Sequence, residues 1–461
     1  MTRRRAALAA VAAVLGAVVL ALAVPNRGID GGPLRMSAAA EGVIPPPIVA
    51  SGSVARRRLE RAADSAAREL IGSGDRSWVS WDASDGLWDK TYPRKSTSFP
   101  LPMWWQSALA MRALVRYATA IRSRNPAYRS LLASVYRLDI SRPGTLQPYN
   151  FENRFMDDTA WWALAWVDAA RYELGIGHDR AAGRRYLALA ELDASYIAQQ
   201  PKTCGGQGIE FERGYTPSTI TNEEFVSLAA ELAQVHSPHG AAPDPALHRR
   251  WLSAALGVLG WLRRAGLVNL SDGTTRATMS GYCTPAGGPM TYTEGEMADG
   301  LTQLGLATGQ RFYLQAATRF LHWLLVPSHD MLAGDVLQEP CEAGPRACVD
   351  RSGNITVFKG IVVDALADWT LAAHAPTYGA VVAAQARAIL AHAGATGGPG
   401  VCATPSACVL SMYWAQRPSG GRRLVSPTPG SQTAGLSALT DALAIGGLDR
   451  PAATAAREPS R

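Results

Sequence analysis

Alternating apolar and polar residues, the mark of half-buried strands, are nearly absent from these 461 residues, so a sheet-based core is excluded. No repeat of fixed period runs along the chain, which leaves an α-solenoid without support. The eight histidines show neither metal-ligand spacing nor a Ser-His-Asp arrangement, and none lies at ligand spacing near a cysteine. That disfavours a zinc site, and no metal or other cofactor is expected. Charge of one sign is also scarce. The formal net charge is +7, and without Arg3, Arg4 and Arg5 it is +4, too little to imply a nucleic-acid partner. The remaining basic pairs, such as Arg263 with Arg264 and Arg422 with Arg423, are scattered and lack an interleaved set of aromatics for stacking bases. After the N-terminal segment, no stretch is long and apolar enough to span a bilayer.

What the chain does have is apolar content, 47%, enough to bury a large core. Residues 1–24 read as an export signal: Arg3 to Arg5 form a positive start, Ala6 to Val24 an apolar run, and Ala21-Leu22-Ala23 a small-x-small cleavage pattern. The run is about as long as a short membrane helix and Pro25 crowds the cleavage site, so an uncleaved anchor is the alternative. Either way the protein is expected to be secreted or extracytoplasmic. Residues 25–54, rich in Pro, Gly, Ala and Ser, read as a flexible linker, 55–449 as the folded domain, and 450–461 as a disordered tail. All six cysteines lie in the domain, an even number that suits disulfides in an oxidising compartment. Fifteen pairings are formally allowed. Short separations favour Cys341 with Cys348 and Cys402 with Cys408, leaving Cys204 with Cys283 as a longer staple.

Helical spacing of apolar residues recurs over about twelve segments: 55–72, 102–123, 126–138, 157–174, 179–199, 222–236, 246–265, 294–308, 310–325, 358–374, 376–393 and 431–446. Gly175, Gly177, Gly309 and Pro376 punctuate them. Short turns alternate with long Gly- and Pro-rich loops. This pattern predicts an all-α fold, the (α/α)6 barrel or six-hairpin toroid, with short turns at one end and functional loops at the other.

The most informative stretch is Asn153-Arg154-Phe155-Met156-Asp157-Asp158, followed by an apolar helix carrying Trp161, Trp162 and Trp166. Two acids open a helix where free N–H groups and the dipole stabilise carboxylates, which explains them structurally. The tryptophans change the balance. Aromatic faces pack against the apolar face of a sugar ring, and the chain has 13 Trp. Neighbouring carboxylates come within reach of the spacing of about 5 to 5.5 Å at which one attacks an anomeric carbon while the other protonates the leaving oxygen. One acid can stay ionised through hydrogen bonds while the other, against Trp, keeps its proton.

The stretch resembles the endo-α-1,6-mannanases of glycoside hydrolase family 76, whose Asp-Asp pair precedes a Trp-Trp-Ala-Leu-Ala helix, matched here by Asp157, Asp158 and Trp161 to Ala165. Further matches follow in family order across most of residues 75–375: Trp104-Trp105-Gln106-Ser107-Ala108, Cys204-Gly205-Gly206, Thr221-Asn222-Glu223-Glu224-Phe225 and Phe358-Lys359-Gly360-Ile361. Tyr292-Thr293-Glu294-Gly295 departs from the family's Tyr-Asn-Gln-Gly. The resemblance implies a retaining glycoside hydrolase in which Asp157 is the nucleophile and Asp158 the general acid/base. Its partner would be a polysaccharide, an α-mannan or a mannan-containing envelope glycan.

The other candidates weigh differently. Asn222 and Glu223 suit sugar hydroxyls but also suit an ordinary helix cap. Trp104, Trp105 and Gln106 suit a cleft lining, although paired Trp on a periodic helix usually face a core. Trp161, Tyr292, Glu294 and Lys359 complete the expected substrate-binding set. A mannan transglycosidase remodelling the envelope would use the same covalent intermediate. An inactive carbohydrate-binding barrel would not need two close like charges, and a uronide-acting enzyme would call for more cations than Arg154 and Lys359.

Overall fold

The computed structural model describes residues 54–71, 81–82, 86–89, 102–139, 150–200, 202–206, 208–343, 348, 353–392, 408–415 and 428–446. The export signal or anchor, the linker up to residue 53, the tail and Cys402 lie outside these residues.

Thirteen α-helices occur among the described residues. Six are α2 (Trp104–Ala120), α4 (Met156–Tyr172), α6 (Thr219–Val235), α8 (Thr291–Thr308), α11 (Phe358–Ala372) and α13 (Pro429–Ala444). Each of these packs on the next and α13 returns to α2, which closes an inner ring. Six others, α1 (Val54–Ile71), α3 (Pro126–Asp139), α5 (Arg180–Ala198), α7 (Pro245–Arg264), α9 (Arg311–Leu324) and α12 (Gly379–His392), pack on that ring from outside. The first helix, α1, rests on the last, α13, so the ends of the domain complete the sixth hairpin. The short α10 (Pro340–Ala343) sits in a loop. The fold is the expected (α/α)6 barrel.

Burial separates the two rings. Outer α9 buries one stripe, Leu314, Ala316, Ala317, Phe320, Leu321 and Leu324, at helical spacing. In inner α6 every residue but Gln234 is buried, polar ones included. Such a helix touches neighbours on all sides and leaves no polar face for a periodicity argument to find. Close approach also needs small residues: a side chain at Gly360 of α11 would come within 2.9 Å of the Ala434 backbone in α13. Ends are set locally. Ser218 caps α6 by accepting from the Thr221 N–H, Asp244 caps α7 ahead of Pro245, and Gly309 ends α8 at φ +69°.

Turns from inner to outer helices are short, whereas every outer-to-inner connection is long in sequence, so the long connections all lead into the N-terminal ends of the inner helices. These loops carry what the sequence pattern did not reveal, antiparallel hairpins with strands of only two or three residues. Strands that short show no period of two. Among them, Lys202–Thr203 pairs with Gly208–Ile209 and Thr278–Met279 with Pro285–Ala286. Cys204–Cys283 joins the loop before α6 to the loop before α8, and Cys341–Cys348 closes a small clip, both as the spacing suggested.

The middle and C-terminal turns of the inner helices bury charge. Arg112 bridges Asp168 at 2.8 Å and Glu231 at 3.1 Å, Arg171 also reaches Glu231, and Arg116 grips Asp368 with both nitrogens while holding Asp441 at 3.0 Å. Glu296, Asp299 and Asp364 add to the acids, which outnumber these three arginines. Burial raises Glu231 to about 7 against the pull of Arg171, raises Glu296 to about 7 against Arg112, and, with Asp368 and Glu296 adding, raises Asp299 to about 8. Each of these acids binds its proton more tightly folded than unfolded. Their stabilisation is therefore whole below about pH 4 and is lost as pH rises through about 7 to 8. We expect the thermal midpoint to fall by several degrees between pH 5.5 and pH 8.5, on the order of 1 °C per kcal/mol lost for a domain of this size. A midpoint that is flat or rising across that range would show that these acids are ionised in the fold.

Candidate active site

Asp157 and Asp158 occupy the first turn of α4, behind Phe155 at the N-cap, in the loop-bearing mouth of the barrel. The entry is pinned on both sides: the Met156 N–H donates to the Phe211 carbonyl at 2.9 Å, and the Asn153 N–H donates to Thr159 Oγ1 at 2.8 Å. Adjacent helix positions point about 100° apart, at 3.6 residues per turn, so the two carboxyls face different surroundings. The Asn153 side-chain amide donates to Asp158 Oδ2 at 2.7 Å, and the Asn153 carbonyl is itself held by the Tyr196 hydroxyl at 3.0 Å. One oxygen of Asp157 is buried without a partner in the protein.

Both acids keep some exposed surface, yet they lie deep enough for burial to dominate their titration. Burial raises Asp157, while the backbone N–H groups of Asp158 and Asp157 hold it back. Burial raises Asp158 further, well above the ordinary carboxylate range, because the Asp157 charge adds to it. The two protons of such a pair come off in separate steps that belong to the pair, because burial and the neighbouring charge both oppose a second ionisation.

Beside the pair stands a residue that the sequence reading left out of the site. Glu224 of α6 is fully buried, neither of its oxygens has a hydrogen-bond partner, and its carboxyl is raised by burial and then by Asp157, Glu296, Asp158 and Glu223. Glu223, one position earlier, is equally buried and unpartnered but feels Glu294 and Glu296 of α8 and not the aspartates. Burial does not distinguish the two; the neighbours they meet do, and those are a property of the closed ring.

The remaining expected residues divide. Trp105 stays partly open and stacks on Trp161 of α4, with ring centres 6.1 Å apart, one turn from the aspartates. Tyr292 is half-buried, stacks on Phe358 at 4.2 Å and lies within the field of Glu224 and Asp157. Trp104 is packed between Phe151 and Trp162. Gln106 donates to Asn354 Oδ1 at 2.6 Å. Asn222 spends its amide on the Ile209 and Ser218 backbone, tying the loop to α6. Lys359 is buried, bridges Glu342 at 2.6 Å, donates to the Met412 carbonyl and sits over the Trp414 ring.

Glu294 accepts four hydrogen bonds, from the Thr275 N–H and hydroxyl, the Met290 N–H and the Thr293 hydroxyl, between 2.7 and 2.9 Å. Glu294→Gln would turn one acceptor atom into a donor facing a backbone N–H, at a cost of about 1–3 kcal/mol. The urea midpoint should fall with the slope unchanged. A wild-type midpoint would show that the carboxylate is not what holds this loop. Among the described residues no cluster of His, Cys, Asp and Glu has metal-binding geometry.

A six-hairpin barrel with paired acids among tryptophans at its looped mouth has the build of a sugar-cleaving enzyme. The profile of Glycosyl hydrolase family 76 matches residues 77–444, and the chain belongs to that family. Its fold is similar to that of an α-1,6-mannanase from Salegentibacter sp. HEL1_6, with a TM-score of 0.61 and 18% identity, covering 83% of this chain and 98% of that one. A family 76 mannosidase from Bacteroides thetaiotaomicron gives a TM-score of 0.60 at 15% identity, covering 84% and 98%. Dfg5 from Chaetomium thermophilum, solved with glucosamine, gives 0.59 at 18%, covering 84% and 90%. Among curated proteins no sequence matches the chain.

Proposed function

We propose that this protein is an exported glycoside hydrolase that cleaves α-1,6-linked mannan by a retaining double displacement at Asp157 and Asp158. The observation that carries the reading is the placement of two adjacent, unequally hydrogen-bonded carboxyls in the first turn of an inner helix at the mouth of a family 76 barrel. Support for the substrate comes from a neighbour of the same fold: an inactive variant of the Salegentibacter mannanase, with two consecutive aspartates changed to asparagine, was solved with α-1,6-mannotriose. Two disulfides support an extracytoplasmic setting.

In the first step the Asp157 carboxylate attacks the anomeric carbon as the C–O bond breaks, and the leaving oxygen takes the Asp158 proton. Water then gives its proton to Asp158, attacks the same carbon and releases Asp157. Trp105, partly open and backed by the buried Trp161, offers aromatic surface beside the reacting sugar, and Asn153 orients Asp158. Incubating the protein with defined α-mannans and following the first-formed anomer by proton NMR tests the proposal. An α product from an α-linked bond is expected, and an initial β product would overturn the mechanism. Added oligosaccharide acceptors in the same experiment would reveal transfer in place of hydrolysis.

A further inference from the structure

Seven large apolar side chains are notably exposed among the described residues, and the two most exposed are tyrosines, Tyr215 at 60% and Tyr282 at 93%. Single exposed apolar residues need no explanation. These two are not scattered. They lie in the loops before α6 and α8, the pair joined by Cys204–Cys283, at the catalytic end of the barrel.

A continuous run of hydrogen bonds connects them to the aspartates. The Met156 N–H, next to Asp157, donates to the Phe211 carbonyl, the Arg213 N–H donates to the Arg154 carbonyl at 3.4 Å, and Arg154 bridges Glu212 at 3.1 Å. The 211–216 turn closes on itself through the Phe211 N–H to the Thr216 carbonyl and the Tyr215 N–H to the Glu212 carbonyl. It then docks on the next hairpin: Thr216 Oγ1 donates to the Met279 carbonyl at 3.0 Å, and the Met279 N–H donates to the Pro217 carbonyl at 3.1 Å. Tyr282 stands at the tip of that hairpin, which is closed by the Ser280 N–H to the Thr284 carbonyl and by the Cys283 N–H to the Ser280 carbonyl. Both rings are thus carried on loops fixed at their bases, where a stacked ligand costs little ordering.

We propose that Tyr215 and Tyr282 form a carbohydrate-binding ledge outside the cleft, holding a stretch of the same polysaccharide several sugars away from the bond being cut. The occupant follows from continuity: the ledge is one hydrogen-bonded ribbon with the segment that carries Asp157, and only a polymer reaching beyond the cleft touches both. Tyrosine suits this role, because its face packs on the apolar side of a sugar and its hydroxyl bonds to sugar hydroxyls. The inference rests on the reading of the site as one for α-mannan.

The test places Tyr215→Ala and Tyr282→Ala together in the Asp157→Asn protein and measures retardation in native gels containing soluble α-1,6-mannan. Removing both aromatic faces should weaken polymer binding roughly tenfold relative to Asp157→Asn alone. In the otherwise wild-type enzyme, the ratio of kcat/KM on polymer to that on a short aryl mannoside should fall by a similar factor. Equal retardation with and without the tyrosines, beside normal cleavage of mannan by the wild type, would overturn the ledge and leave the catalytic reading standing. Absence of both mannan binding and mannan cleavage in proteins with intact tyrosines would overturn the substrate assignment and the ledge with it.

Discussion

Asp157→Asn is expected to abolish turnover on every substrate, natural or activated, without unfolding the domain. The asparagine keeps the size of the side chain and still suits the first turn of α4, but it cannot form the ester through which a retaining reaction passes. Loss of a nucleophile removes the route itself, so kcat should fall by about 10⁴ or more. Asp158→Asn should behave differently. Proton donation and later base assistance disappear, at a cost of about 10²- to 10⁴-fold on natural glycan. An aryl mannoside with a good leaving group still forms the intermediate, and external azide should then release it as the glycosyl azide. Measuring both variants on mannan and on the aryl substrate, with and without azide, separates the roles. Full activity in both would reduce the pair to a helix opening beside core tryptophans; azide rescue of Asp157→Asn instead would exchange the assignments.

The second large effect is expected at Glu224. A fully buried carboxyl whose two oxygens have no protein partner, beside two aspartates, retains its proton and has a hydrogen bond to give. On the proposed reading, that donor meets a substrate hydroxyl. Glu224→Ala should lower kcat/KM by about 10²- to 10³-fold, the scale for losing one buried donor at a reacting centre. Glu224→Gln keeps a donor and should recover a large part of that loss. Equal rates for the glutamine, alanine and wild-type proteins would remove Glu224 from the site.

These two residues show how differently the parts of the site are legible in one dimension. Asp157 and Asp158 stand out because an acid pair directly before a helix dense in tryptophan is chemically conspicuous along the chain. Glu224 does not, since Asn222, Glu223 and Glu224 are all polar, all buried and all within one turn of α6. Ring closure aims Asn222 at the Ile209 backbone, Glu223 at α8 and Glu224 at the aspartates. The first turn of α6 escaped for a related reason. Thr219, Ile220 and Thr221 resemble loop or strand, and their helical state depends on the Ser218 cap and on burial. Glu294, one of the expected substrate-binding residues, holds the loop that carries Thr275.

The sequence by itself determined the twelve long helices, though not the short α10, the alternation of short turns with long loops and the acid pair at a helix start, because apolar spacing, punctuation residues and neighbouring carboxylates are local properties. It also favoured the Cys204–Cys283 staple, by leaving those two cysteines over once the close spacings were used. Only the tertiary structure decided which helices form the inner ring, which carboxyls meet at its mouth and which polar side chains are spent on holding loops. Those outcomes depend on contacts between residues far apart in the chain. An inner helix buried on every side has no periodicity that could announce them, and a carboxyl's proton is held by neighbours that only the closed ring supplies.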